Sequence, residues 1–171
     1  MKRLVVPLVV VVAVGAALAL TVGGGRDTGE ADAPGPTVPD LAIPRLEGGG
    51  DFALARLTAA ETPTLLWFWA PWCEVCNHEA PAIERMASQA DGELAVVAIG
   101  GRDEAANGPA FVRRHRLRSP TVLFDEEMQA WGAYAIPGQP AGILLDRSGR
   151  ERGRWLGAFD TAEVLAAARD L

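Results

Sequence analysis

Cysteine is scarce in this chain of 171 residues: there are two, Cys73 and Cys76. A protein held by a disulfide framework spreads more of them along its length, so that class is excluded. A zinc ribbon needs a second cysteine pair, and none is present. Positive charge is also short. Sixteen lysines and arginines face 22 acidic residues, for a net charge of −6. That balance argues against a nucleic-acid binder, which carries a basic patch or stripe. Lys2 is the only lysine, a bias we assign to genomic composition rather than to function. Internal repeats are absent. What the chain does have is apolar content, 49% of its residues, enough to build the core of one domain with accessory segments.

The first 22 residues predict export. Met1-Lys2-Arg3 is a short basic start, and Leu4 to Val22 then runs apolar. A helix needs about 20 apolar residues to cross a bilayer. The leading charge keeps the N-terminus cytoplasmic and sends the rest outside. Ala17-Leu18-Ala19 has the small residues of a signal-peptidase site, so the segment reads as a membrane anchor or a cleaved signal peptide. No cysteine follows the run, which excludes a lipoprotein anchor. Residues 23–39, rich in Gly, Pro, Asp and Thr, read as a flexible tether. The folded domain is expected over 40–171.

Within that domain, Leu41–Leu46 and Asp51–Leu54 flank a glycine run and predict a hairpin. Thr64–Trp69 and Leu94–Ile99 are continuous apolar runs and predict buried strands. Between them, a helix is expected from near Cys73 to about Ala90, kinked at Pro81. A helix over Asp103–Arg116 and a strand over Thr121–Phe124 follow. Asp125–Ala133 reads as a short helix capped by Asp125. Ile143–Leu145 and Glu151–Leu156 form a closing hairpin. Thr161–Asp170 reads as a last helix capped by Thr161, burying Val164, Leu165 and Ala168. The alternation gives an α/β sandwich with a mixed central sheet.

Chemistry concentrates at Trp72-Cys73-Glu74-Val75-Cys76, where a buried strand turns into a helix. The first turn of a helix offers unpaired N–H groups and a positive dipole end. Both favour a thiolate on Cys73, well below the usual thiol pKa of about 8.5. Cys76 lies one turn further, within reach of Cys73. Cys73 is therefore the candidate exchanging sulfur and Cys76 the candidate resolving one. A metal reading recruits His78 and His115 to the two thiolates to hold copper, but no third ligand has suitable spacing. A peroxidase would instead use one peroxidatic cysteine in a Thr/Pro-flanked loop.

The segment Phe68-Trp69-Ala70-Pro71-Trp72-Cys73-Glu74-Val75-Cys76 resembles the active-site stretch of thioredoxin-like proteins. Asn77-His78-Glu79-Ala80-Pro81 resembles the membrane-anchored TlpA/ResA/DsbE branch, which has a glutamate three residues after the second cysteine and then a proline. Tyr134-Ala135-Ile136-Pro137-Gly138-Gln139-Pro140 resembles the segment that holds the family's cis-proline. The wording is nearest to secreted DsbE/DsbF-like proteins of actinobacteria, and the likeness covers roughly Val38 to Leu171. It implies a thioredoxin-like three-layer sandwich with an N-terminal hairpin and an extra helix–strand insertion at about Asp103–Phe124. It implies that Pro140 is cis and lies beside the cysteines, with Pro137 as the rival candidate. Gln139 would then offer its backbone to an extended substrate segment. Glu79 would be a proton acceptor or pKa tuner for the dithiol. Thioredoxin's buried aspartate is replaced here by Trp67, leaving that role to Glu79 or water. Trp72 is placed to cover the sulfurs, and the other tryptophans read as core or rim. Arg113–Arg118 reads as a solvated basic helix end.

The implied activity is thiol–disulfide exchange with exported proteins, without metal or cofactor beyond the cysteine pair. A membrane redox protein would recycle it. The sequence leaves the direction of electron flow open. The branch contains oxidants of secreted proteins and reductants serving cytochrome c maturation. Glu74 beside Cys73 disfavours the thiolate and suits a reductant, whereas the actinobacterial likeness leans to the oxidant.

Overall fold

The computed structural model describes residues 38–90 and 92–171. The apolar run 1–22 and the tether up to residue 37 lie outside the described residues. Among the described residues, no helix is long and apolar enough to cross a membrane. Val38, read as part of the tether, is buried in the core of the domain.

Continuous apolar runs occupy the centre of the sheet, as strands covered on both faces must. Strand β3 (Thr64–Trp69) is buried at every position. It lies between parallel β4 (Ala95–Gly100) and antiparallel β6 (Ala141–Leu145). Beyond β4 runs β5 (Thr121–Phe124), and beyond β6 runs β7 (Glu151–Leu156), giving the order β5-β4-β3-β6-β7. Edge strand β7 alternates half-buried and exposed residues, the period of a strand with one wet face. A separate hairpin pairs β1 (Ala42–Pro44) with β2 (Asp51–Ala53). Its turn uses Gly48, Gly49 and Gly50, all at positive φ, where a side chain would be strained. Arg45 bridges Leu123 and ties the hairpin to the sheet edge.

Side chains alternate across a strand, and β3 shows the consequence. Leu65, Trp67 and Trp69 face a layer made by α1 (Glu74–Gln89), α2 (Gly108–His115) and α4 (Thr161–Arg169), through Ile83, Met86, Phe111 and Val164. Leu66 and Phe68 face the hairpin and α3 (Gln129–Ala133), through Ile43, Phe52 and Trp131. This is the expected three-layer α/β sandwich, with α2 and β5 as the helix–strand insertion. Trp69 stacks on Phe111 at 4.2 Å between ring centroids and meets Phe124 edge-on at 6.0 Å. Each such pair adds about 0.5–1.5 kcal/mol beyond buried area.

Three helix boundaries differ from the sequence reading. Asp103–Arg116 is not one helix: a 3-10 turn over Ala105–Asn107 precedes α2. Pro109 sits in the first turn of α2, where its missing N–H costs nothing, so the α-helix begins there. The helix after Asp125 starts only at Gln129, because Met128 adopts a left-handed φ of 60°. Asp125 nevertheless serves its N-terminus. Its carboxylate accepts the N–H groups of Gln129, Ala130 and Trp131 at 2.9, 2.7 and 3.1 Å. Finally, α4 is capped by Asp160 rather than Thr161, with Asp160 Oδ1 accepting the Ala162 N–H at 2.8 Å. The carboxylate one residue earlier holds the extended backbone a cap requires.

Candidate active site

The chain leaves β3 at Trp69 and enters α1 at Glu74, and Cys73 is the residue that caps the helix. Its backbone is extended, and its Sγ accepts the Cys76 N–H at 3.1 Å. That bond uses one of the orphan donors of the first turn, at the positive end of the helix dipole. Cys73 and Cys76 are joined in a disulfide, with Cα atoms 5.2 Å apart. Exposure separates the two: Cys76 is fully buried, while Cys73 retains 5%. An incoming sulfur therefore meets Cys73.

Glu79, one turn after Cys76, is 7% exposed. Its Oε2 accepts the Trp67 indole N–H at 2.7 Å, and its Oε1 accepts the Phe159 backbone N–H at 3.2 Å. Burial pushes its pKa above the ordinary carboxylate value, and these two hydrogen bonds oppose that shift.

The Gln139–Pro140 bond is the cis peptide among the described residues, so Pro137 is trans. Strand β6 begins at the next residue, where Ala141 pairs with Phe68. Pro140 thus stands at the end of β3 that leads into Cys73. The Pro140 carbonyl accepts the Gly157 N–H at 2.9 Å. The Gln139 amide oxygen is buried and has no hydrogen-bond partner. Trp72 is 60% exposed and donates its indole N–H to the Arg102 carbonyl at 3.0 Å. Among the described residues, the large apolar side chains left exposed are Trp72, Val75 and Leu156. All three sit at this end of the sheet, because Leu156 pairs with Ala141 next to Pro140.

Asn77 is a site residue to which the sequence reading gave no role. Its Nδ2 donates to the carbonyls of Cys73 and Pro71 at 2.8 and 3.3 Å. Its Oδ1 meets Arg114 Nη1 at 3.1 Å and His115 Nε2 at 2.8 Å. The end of α2, read as a solvated basic run, is thus fastened in part to the active-site turn. Spacing alone hinted at the Cys73 contact, since Asn77 lies four residues on. Nothing local pointed to α2. Burial, and then the neighbouring Arg114 charge, lower the His115 pKa. His78 is exposed. Among the described residues, no three His, Cys, Asp or Glu side chains gather to hold a metal ion.

Comparison with known proteins places this geometry. The AhpC/TSA family model matches residues 34–155. The soluble secreted antigen MPT53 of Mycobacterium tuberculosis is 36% identical over 87 residues, 51% of this chain and 49% of that protein. The chain thus matches about half the length of that relative. The thiol-disulfide oxidoreductase ResA of Geobacillus thermodenitrificans is 30% identical over 153 residues, 87% of this chain and 84% of that one. Among solved structures, MTB DsbF in its mixed oxidized and reduced forms is similar with a TM-score of 0.70 and 28% identity. That likeness covers 78% of this chain and 98% of the other.

Proposed function

The chain belongs to the AhpC/TSA family, in its thioredoxin-like form, and from that premise we propose that it is an extracytoplasmic thiol–disulfide oxidoreductase that oxidises thiols of exported proteins. The observation that carries this reading is the unequal disulfide at the head of α1. Cys73 is the accessible sulfur and the helix cap, and Cys76 is the buried partner.

In the exchange a substrate thiolate attacks Cys73 Sγ. The Cys73–Cys76 bond breaks, and Cys76 leaves as the thiolate. A second substrate thiolate then attacks the substrate sulfur of the mixed disulfide and expels Cys73 as its thiolate. The substrate gives up two electrons and two protons, and the protein is left with two thiols. The Cys76 N–H and the helix dipole stabilise the Cys73 thiolate, which favours the reduced form and so suits an oxidant. Glu79, with its raised affinity for a proton, is suited to take up or return the proton of Cys76. Gln139, ahead of the cis bond, is placed to pair with an extended substrate segment, and the Trp72–Val75–Leu156 rim would contact its apolar side chains. The apolar run 1–22 would carry the domain out of the cytoplasm, and a membrane protein would reoxidise the dithiol. The relative MPT53 is likewise a soluble secreted antigen.

Incubating the oxidised protein with a reduced, unfolded two-cysteine peptide tests the reading. Two peptide thiols are expected to disappear for each protein disulfide reduced. Cys73→Ser should be inert, and Cys76→Ser, mixed instead with the oxidised peptide, should accumulate a mixed disulfide at Cys73 as its thiolate opens the peptide disulfide. Equal exchange by Cys73→Ser and the natural chain would end the proposal. A second reading, reductant for cytochrome c maturation, is favoured by Glu74, whose charge in the first turn of α1 works against the thiolate. A potential near about −270 mV supports that reading, and one toward about −120 mV supports the oxidant.

A further inference from the structure

Arg102 lies in the loop after β4 and touches both margins of the proposed substrate groove. Its carbonyl accepts the Trp72 indole N–H at 3.0 Å, on the cysteine side. Its guanidinium donates to the Pro137 carbonyl at 2.8 Å, on the side of the loop that ends in cis-Pro140. Its N–H points to Met128 Sδ at 3.3 Å, and its guanidinium lies 5.4 Å from the Trp131 ring centroid. The preceding Gly101 lets the chain pass this closely: a Cβ there would fall 2.7 Å from Trp131 Nε1.

The backbone makes the choice of residue informative. Arg102 has φ 58°, in the left-handed region that glycine occupies without penalty. An L-residue there gives up about as much as one exposed hydrogen bond and one exposed cation–π contact return. Stability therefore gives no net reason for an arginine after two glycines. Met128 and Ala135, also at left-handed φ of 60° and 50°, line a small apolar hollow with Trp131, Ile136 and Pro137, and Arg102 contacts three of its residues, Met128, Trp131 and Pro137. Strained residues gathered around one loop point to a position held for use rather than for stability.

We propose that Arg102 is a positioning residue that fixes the distance between the Trp72 margin and the Pro137–Pro140 loop, and with it the fit of a substrate polypeptide against Cys73. The inference rests on the thiol-exchange reading above, and it concerns polypeptide substrates only. A small dithiol reaches Cys73 without spanning the groove, so its reaction does not depend on the brace.

Arg102→Met keeps the backbone and chain length and removes the donor. Arg102→Lys keeps a donor. Arg102→Gly keeps both backbone bonds and relieves the left-handed φ, so it folds even where the other two are weakened. With the reduced two-cysteine peptide and excess glutathione disulfide to reoxidise the protein, Arg102→Met and Arg102→Gly are expected to raise KM about fivefold or more with kcat within about twofold, and Arg102→Lys to recover most of the loss. Dithiothreitol oxidation and the redox potential should stay at the natural values in all three. An unchanged peptide KM overturns the proposal, and so does an equal loss with dithiothreitol. If the natural chain oxidises neither thiol, the thiol-exchange reading itself falls, a result distinct from either of these.

Discussion

Trp67 donates its indole N–H to Glu79 Oε2 at 2.7 Å, so the aromatic residue that stands where thioredoxin has a buried acid holds an acid delivered from the neighbouring helix. The carboxylate is buried but doubly hydrogen-bonded, with Phe159 supplying the second donor. Desolvation outweighs those bonds, and the balance between them sets its proton affinity.

Trp67→Phe removes one of the two donors and keeps most of the packing. The Glu79 pKa is expected to rise further, because the charged form loses a partner while remaining buried. A carboxyl-selective NMR titration checks this. Urea unfolding should show a cost of about 1–3 kcal/mol from the lost bond and the space left behind. A Glu79 titration that does not move in this variant would show that the indole bears no part of the charge.

The raised pKa also fixes a sign for stability against pH. Native Glu79 binds its proton more tightly than the unfolded chain does, so unfolding releases it. The stabilisation is complete below the unfolded carboxyl pKa, about 4.3, and is lost as pH rises through the folded value. Unfolding free energies of the natural chain should therefore carry a limb that falls with rising pH above that point. Glu79→Gln, which does not titrate, should lack that limb. A limb of equal size in both proteins would assign it to another group.

Asp146 predicts the opposite slope. Burial alone would raise its pKa, but hydrogen bonds from the Ser148 hydroxyl, the Arg150 and Ser148 N–H groups and the Arg152 guanidinium outweigh burial and hold it well below the usual carboxylate range. Its stabilisation is present above the unfolded pKa of about 3.9 and is lost as pH falls toward the depressed value. Asp146→Asn should cost about 1.5–3 kcal/mol at neutral pH, the worth of hydrogen bonds to a charged group. The gap from the natural chain should narrow in acid. Paired urea titrations at pH 7 and pH 3 check it.

Much of this frame was legible in the sequence because it is local. The bounds of β3 follow from Thr64 and the five apolar residues after it, ahead of Pro71, and the strand–turn–helix setting of the cysteines follows from the same stretch. The boundaries that moved were decided by single residues competing for a turn. Pro109 opened α2 late, and Met128 took a left-handed conformation before α3. The contacts that shape the site were beyond local pattern. Trp67 meets Glu79 only because α1 crosses β3, and Asn77 meets His115, 38 residues away, only because α2 lies beside α1. Arg102 reaches Pro137 across 35 residues because β4 and β6 flank β3, so the loops at its end converge. Spacing gives no sign of such meetings. Topology creates them.

Asn77 links the two halves of that convergence, and a change of charge there separates its roles. Its side chain donates to the Cys73 carbonyl and accepts from Arg114 and His115. Asn77→Asp keeps the acceptor, loses the donors and adds an anion beside the active-site turn. An anion close to Cys73 disfavours its thiolate, so the reduced protein loses stability relative to the disulfide. The potential should become more negative, on the order of 30 mV for each tenfold shift in the exchange constant. The same anion, at hydrogen-bond distance from His115, should raise the pKa that burial and Arg114 now lower. Asn77→Ala removes the bonds without adding charge, so it should loosen the turn by about 1–2 kcal/mol without the fall in potential. Glutathione redox titration and imidazole NMR titration on both variants check the pair. A fall in potential shared equally by the alanine variant would place the effect in lost geometry instead of charge.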